Sequence, residues 1–201
     1  MAPYVIGDIK VTNPETYAEY AAGVPATSEA YGGRYLVRGP GKCEIAEGDW
    51  LPERFVLAEY KEMETLRAWY NSPEYSKLIK LRQSASTGNL VFVEGISPHT
   101  HARQIEMAAY LIGDIEVTDP DTYERYRAGV PATVAAFGGK YLVRGAEAEV
   151  AEGTWSPNRL VVLEFESMER LKAWYDSPEY ADLKKLRQSA SKGNLIFADG
   201  A

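Results

Sequence analysis

The stretch YVIGDIKVTNPETY, at residues 4–17, recurs as YLIGDIEVTDPDTY at residues 110–123. Its first half alternates apolar residues with period two, which predicts a β-strand. The Thr-Asn-Pro or Thr-Asp-Pro step that follows is a helix start signal with proline near the first helical position. The stretch therefore predicts a strand that leads directly into a helix, and it does so twice in one chain.

The repetition extends over almost the whole chain. GGRYLVRG from Gly32 matches GGKYLVRG from Gly138, and AWYNSPEY matches AWYDSPEY after a one-residue difference in the intervening loop. Roughly two-thirds of the aligned positions are identical, over a period that has the length of a domain. We predict two domains, at residues 1–95 and 107–201, joined by a polar linker at 96–106 that holds both histidines, His99 and His101.

Each repeat has the predicted element order β-α-β-β-α-β. In the first repeat the strands are expected at residues 4–11, 34–39, 54–61 and 89–95, with a long connection between the second and third. The second helix is expected in two pieces, at residues 63–70 and again from the Asn-Ser-Pro-Glu signal at 71–74. This order predicts an α+β, ferredoxin-like domain with sheet order 4-1-3-2 and both helices on one face.

The predicted strands have two unequal faces. The face expected beneath the helices is apolar or small, with Val5, Gly7, Ile9, Val11, Val56, Ala58 and Tyr60. The other face mixes apolar and charged side chains, namely Tyr4, Ile6, Asp8, Lys10, Phe55, Leu57 and Glu59. Burial of that face against its copy in the other repeat predicts that the two sheets form a closed or nearly closed β-barrel within one chain, with a pseudo-twofold axis and the helices outside.

Composition excludes several classes of protein. The formal net charge is −7, from 22 Lys+Arg and 29 Asp+Glu, so we expect no nucleic-acid partner. No apolar run approaches the roughly 18 residues that span a bilayer, and the N-terminus has no signal-peptide pattern, so we expect no membrane partner and a cytoplasmic location. The single cysteine, Cys43, has no counterpart in the second repeat and is not expected to be a shared nucleophile.

Several motifs together resemble one family. YVIGDIKVTNPETYAEY, GVPAT, GGRYLVRG, EGDW, AWYNSPEY and LRQSASTGNLVFVEG are similar to the family catalogued as domain of unknown function 1330, within the dimeric α/β-barrel superfamily. The resemblance implies the fold and the pairing of two copies, which family members usually achieve as homodimers. It implies no reaction, because the family has no settled activity, and superfamily relatives with oxygenase, isomerase or haem chemistry are analogies of fold alone.

The barrel interior is expected to hold a polar cluster. In the order 4-1-3-2, Glu59 lies beside Tyr4, and Arg38 on the neighbouring strand is predicted to reach Glu59. The second repeat supplies the same set as Tyr110, Glu164 and Arg144. The cluster is either a structural ion pair or the wall of a ligand pocket, and sequence alone does not separate these alternatives.

A second polar point is expected at the opposite end of the barrel. Asp8 and its counterpart Asp114 either face the interior or pair with a neighbouring cation at the rim. Trp50 and Trp155 follow glycine-containing hairpin loops and are expected either to pack over the barrel end or to form the wall of a ligand site. We therefore name Asp8, Glu59, Asp114 and Glu164 as candidate acid–base residues, with the tyrosines, arginines and tryptophans as candidate ligand contacts.

Both repeats lack histidine, which disfavours haem and zinc chemistry and any histidine-based acid–base pair. We expect no cofactor. Three functions remain open: a cofactor-independent acid–base enzyme acting on a small organic acid or aromatic metabolite, a non-catalytic small-molecule-binding module, and a structural module whose ion pairs set the register. A cavity of roughly 300 Å³ or more in the barrel would favour the first two.

Overall fold

A computed structural model describes residues 1–96 and 107–201, so the predicted linker with its two histidines lies outside the described residues apart from Ile96. The first repeat contains β1 (Pro3–Val11), α1 (Pro14–Ala30), β2 (Arg34–Arg38), β3 (Cys43–Glu47), β4 (Arg54–Glu59), α2 (Met63–Tyr70), α3 (Pro73–Ala85) and β5 (Ser86–Glu94). The second contains β6 (Ala109–Val117), α4 (Pro120–Ala136), β7 (Lys140–Arg144), β8 (Ala148–Glu152), β9 (Leu160–Phe165), α5 (Met168–Tyr175), α6 (Pro178–Ala190) and β10 (Ser191–Asp199).

The helix starts follow the signals in the sequence. The side chain of Asn13 accepts a hydrogen bond from the backbone N–H of Thr16, and Pro14 occupies the first turn of α1. Ser72 caps α3 in the same way, through the backbone N–H of Tyr75. These caps satisfy N–H groups that have no partner within the helix, which explains why α1 and α3 begin where they do.

Each repeat forms the expected core of four antiparallel strands. The sheet orders are β2-β4-β1-β5-β8 and β3-β10-β6-β9-β7, so the order within each repeat is the predicted 4-1-3-2. On β1, Tyr4 lies opposite Glu59 and Asp8 lies opposite Phe55 of β4. The predicted fold is confirmed, with one addition at the sheet edges.

That addition is an exchange of strands between the repeats. The connection predicted as a long hairpin loop contains β3, which pairs with β10 of the second repeat, while β8 pairs with β5 of the first. The exchanged strands carry buried contacts with them. Glu47 of β3 accepts hydrogen bonds from Arg187 and Tyr175 of the second repeat, and the Arg187 side chain is only 4% exposed.

The two repeats share one core. Barrel-facing residues of both repeats, including Ile6, Leu57, Ile112 and Val162, form a single buried cluster, as the strand parity predicts. Two further clusters lie between each sheet and its own helices. In the described ranges, no helix is long and apolar enough to cross a membrane.

Candidate functional site

One end of the barrel, here called the Tyr/Glu end, is defined by Tyr4, Glu59, Tyr110 and Glu164. The Tyr4 hydroxyl donates a hydrogen bond of 3.2 Å to Glu59 Oε1, and both residues are buried. Arg34 Nη2 lies 2.7 Å from Glu59 Oε2. Burial first, and then the charge of Glu59, raise the pKa of Tyr4 well above its ordinary value. The Tyr4 hydroxyl therefore keeps its proton and acts as a hydrogen-bond donor to the carboxylate.

The second repeat forms the same arrangement with one change. Lys140 occupies the position of Arg34, and its ammonium lies 2.7 Å from Glu164 Oε1. Burial, followed by the charge of Glu164, raises the pKa of Tyr110. Each buried carboxylate of the Tyr/Glu end therefore has its own cation and an adjacent tyrosine, an arrangement typical of a satisfied structural pair.

The predicted contact between Arg38 and Glu59 is wrong, and so is the equivalent prediction for Arg144 and Glu164. The pairing of β2 with β4 is irregular between Tyr35 and Val37, which shifts the strand parity beyond that point. Arg38 consequently lies opposite Val56 and donates a hydrogen bond to the carbonyl of Ala21 on α1. β7 has the same irregularity, and Arg144 donates to the Arg127 carbonyl of α4 at 2.9 Å. Both arginines thus lie on the helix side of their sheets.

The opposite end of the barrel holds an open cleft, here called the Trp/Asp cleft. It has a volume of about 460 Å³, which lies within the size range of ligand sites. Its lining comes from both repeats: Asp8, Asp49, Trp50, Asn89, Asp114, Trp155 and Asn194. Asp8, Asp114 and both candidate tryptophans are therefore brought together here, away from Tyr4 and Glu59.

Each tryptophan of the cleft is tied to an aspartate. Trp50 Nε1 donates to Asp8 Oδ2 at 2.9 Å, and Trp155 Nε1 donates to Asp114 Oδ2 at the same distance. The two indole rings lie 5.2 Å apart between centroids. Neither Lys10, which pairs with Glu53, nor Arg54, which donates to the Gly39 carbonyl, neutralises Asp8.

The cleft loops are held by the opposite repeat. Asn194 Oδ1 accepts backbone N–H groups of Asp49 and Trp50, at 2.9 and 3.2 Å. Asn89 does the same for the loop that carries Trp155. Gly48 has φ of +82°, and a Cβ there would lie 2.1 Å from Asn194 Oδ1, so this turn requires glycine. The tryptophans are thus fixed in place without a ligand, which is favourable for binding.

Sequence reasoning missed a second kind of pocket, between each sheet and its helices. In the second repeat this pocket has a volume of about 30 Å³ and is lined by Tyr123, Tyr126, Tyr141, Tyr180 and four arginines among other residues. A similar pocket in the first repeat is lined by Tyr17, Tyr20, Tyr35 and Tyr75. Tyrosines at helical spacing are typical of a core, although an excess of hydroxyl groups in a core is itself a signal.

Two further kinds of site, a reactive cysteine and a metal centre, find no support in the described residues. Burial, followed by the charges of Asp199 and Asp8, raises the pKa of the Cys43 thiol to about 11, so it is protonated at neutral pH. In the part of the chain that the structure describes, no cluster of His, Cys, Asp and Glu has the arrangement of a metal site.

The strand order and the shared core define a protein made of two ferredoxin-like halves that form a dimeric α/β barrel within one chain. The chain belongs to the family described as domain of unknown function (DUF1330), whose pattern matches residues 2–96 and 108–201. No curated protein matches the sequence.

Solved structures share the fold at low sequence identity. A protein assigned provisionally as a monooxygenase from Lactobacillus acidophilus has a TM-score of 0.58 and 14% identity, covering 100% of this chain and 94% of that one. Another so assigned, from Fusobacterium nucleatum, has a TM-score of 0.58 and 7% identity, with 99% and 91% covered. A chlorite dismutase variant from Candidatus Nitrospira defluvii has a TM-score of 0.56 and 8% identity, with 100% and 91% covered. At these identities the similarity concerns the fold alone.

Proposed function

We propose that this protein binds a small aromatic molecule in the Trp/Asp cleft and acts on it by cofactor-independent acid–base chemistry. The observation that carries the proposal is a cleft of about 460 Å³ whose lining includes both hydrogen-bonded Trp–Asp pairs, with the two indole rings in contact at its base. Two fixed indole rings provide flat apolar surfaces, and two carboxylates provide hydrogen-bond acceptors of defined position.

The charge of the cleft selects among ligands. Its lining contains three carboxylates, from Asp8, Asp49 and Asp114, and among the described residues that line it there is no lysine or arginine. An anionic ligand would be repelled, whereas an amine would be attracted both by the carboxylates and by the indole faces. Of the two ligand classes expected from sequence, we therefore favour a neutral or cationic aromatic molecule for this cleft over an organic acid.

Asp8 is the proposed proton acceptor of the cleft, and Asp114 is proposed to contribute charge. Asp8 uses Oδ2 for Trp50, and no protein partner of its Oδ1 is found in the described residues, so this oxygen can accept a proton from a ligand. Asp114 uses both oxygens, because Asn158 donates its backbone N–H to Oδ1 at 2.9 Å. A proton taken from one ligand atom by Asp8 and returned to another completes an isomerisation without a cofactor.

A structural role is the second candidate, and it applies to the Tyr/Glu end. Glu59 and Glu164 are buried, each beside a cation and a tyrosine. Pairs of this kind can set the register between packed sheets. We therefore propose that the Tyr/Glu end aligns the two halves while the Trp/Asp cleft binds the ligand.

Calorimetric titration with three indoles of different charge tests the proposal. Tryptamine is expected to bind more tightly than indole, and indole-3-acetate more weakly than both. Asp8→Asn and Asp114→Asn retain acceptors for the tryptophan N–H groups but remove charge, so each should weaken tryptamine binding about tenfold, as expected for loss of a charged hydrogen bond.

Asp121→Asn, at an exposed position on α4, is the matched control and should leave tryptamine binding unchanged. If no indole binds, or if the Asp8 and Asp114 variants bind tryptamine as the wild type does, the cleft is not the site. If tryptamine binds normally but no compound screened is turned over, the protein is a binding module and the acid–base part of the proposal is wrong.

A further inference from the structure

The pocket between α4, α6 and the sheet of the second repeat, here called the repeat-two pocket, has a cationic mouth. Arg127, Arg144 and Arg159 line it and are each partly exposed, whereas Arg187 is buried. The remaining lining is apolar or aromatic and includes Leu163. An apolar interior behind a group of guanidinium groups suits an organic anion.

The charges at this mouth are only partly balanced. Arg187 is paired with Glu47, and Arg127 forms a 2.7 Å salt bridge with Glu124. Arg144 and Arg159 have no carboxylate partner within the described ranges, and Arg144 donates instead to a backbone carbonyl. The Nε–H of Arg127 is buried and lacks a hydrogen-bond partner. The site therefore holds spare positive charge and an unused donor.

The first repeat provides a natural comparison. Ala21 occupies the position of Arg127, and Arg38, the counterpart of Arg144, is exposed. The pocket of the first repeat has Arg82 among its lining residues, and the guanidinium of Arg82 is paired with Glu152. Arg54, the counterpart of Arg159, donates to the Gly39 carbonyl and does not line the pocket of the first repeat. Among the residues that line the two pockets, arginines without a carboxylate partner therefore occur only in the second repeat.

We propose that the repeat-two pocket binds a short-chain organic carboxylate, a ligand class opposite in charge to that of the Trp/Asp cleft. The carboxylate would lie between Arg127, Arg144 and Arg159, with its alkyl end directed toward Tyr126 and Leu163. The volume of about 30 Å³ matches two to three water positions, at roughly 10–15 Å³ each. That space suits an acetate- or propionate-sized ligand, and a single site per chain is expected.

Propionate is the probe, observed through the Nε–H signals of arginine in NMR spectra of the intact protein at constant ionic strength. The Arg127 signal is expected to shift to saturation at one equivalent per chain. Arg127→Ala, which installs the residue of the first repeat, should weaken binding about tenfold or more, the effect of losing a charge-assisted hydrogen bond. Arg127→Lys, which keeps the charge, should retain part of the affinity.

The matched control is Arg125→Ala, because Arg125 is exposed on the same helix. This substitution should change the affinity for propionate by less than about twofold. Propionamide, the neutral isostere, and inorganic phosphate, an anion without an apolar end, should both bind more weakly than propionate. The proposal is overturned if propionate causes no saturable shift, if propionamide or phosphate binds equally well, or if a folded Arg127→Ala variant retains full affinity. None of these results depends on the Trp/Asp cleft.

Discussion

Glu47→Ala tests whether the exchanged strands hold the two halves together. Glu47 lies on β3, and its carboxylate accepts hydrogen bonds from the guanidinium of Arg187 and from the hydroxyl of Tyr175. The Arg187 side chain is 4% exposed and that of Glu47 17%, so the pair lies largely out of water. Removal of the carboxylate leaves a buried cation without a counter-charge, although its Nε–H still donates to the Tyr180 hydroxyl, and we expect a loss of about 3–5 kcal/mol in the free energy of unfolding.

Glu44→Ala is the control on the same strand. Glu44 pairs with Lys172 at 2.6 Å, but the two side chains are 48% and 43% exposed. A solvent-exposed ion pair of this kind contributes about 0–1 kcal/mol. The contrast between the two glutamates therefore isolates the effect of burial from the effect of charge on β3.

Urea unfolding of the intact chain, followed by circular dichroism, measures the free energy of unfolding of both variants. In thermal unfolding of a chain of this size, a loss of 3–5 kcal/mol corresponds to a Tm decrease of about 6–20 °C for Glu47→Ala. Combining Glu47→Ala with Arg187→Met removes the unpaired cation and should recover most of the loss. The reasoning is wrong if Glu47→Ala destabilises no more than Glu44→Ala, or if the double variant is less stable than Glu47→Ala alone.

Three further results are expected. Burial raises the pKa of Glu47 and of Glu152, but hydrogen bonds and charge from their arginine partners outweigh burial, so the pKa of each carboxyl is lowered. The stability that these two carboxylates contribute is therefore complete above the unfolded pKa of about 4.3 and is lost as pH falls through the lower folded pKa values. Measurement of Tm as a function of acid pH tests this expectation. Gly48→Ala should cost about 1–3 kcal/mol, more than Gly32→Ala, which also has positive φ but meets no atom within 4 Å. Leu57→Ala, in the barrel core, should cost about 2–5 kcal/mol by urea unfolding.

Most of the fold follows from local signals in the sequence. The caps at Asn13 and Ser72 determine where helices begin, and strand parity correctly assigns Tyr4 and Leu57 to the barrel face. The contact between Tyr4 and Glu59 also follows, because antiparallel order and strand length fix the register when no bulge intervenes.

The errors arise where a strand departs from regular pairing. The irregularity between Tyr35 and Val37 places Arg38 on the helix side and leaves Arg34 to pair with Glu59. Nothing in RYLVRG marks that bulge, because all its central residues are compatible with either face. The exchange of β3 was equally invisible, since CEIAEG shows only that a strand is feasible and does not indicate which sheet edge it joins.

The exchange of β3 and β8 has a consequence for how such a protein can diversify. Each half supplies the edge strand of its neighbour's sheet, so neither half is complete by itself. In an assembly of two identical subunits, any substitution appears at both symmetry-related positions. Here Ala21 and Arg127 are encoded separately, so one half can acquire a new binding specificity while the other preserves the shared architecture.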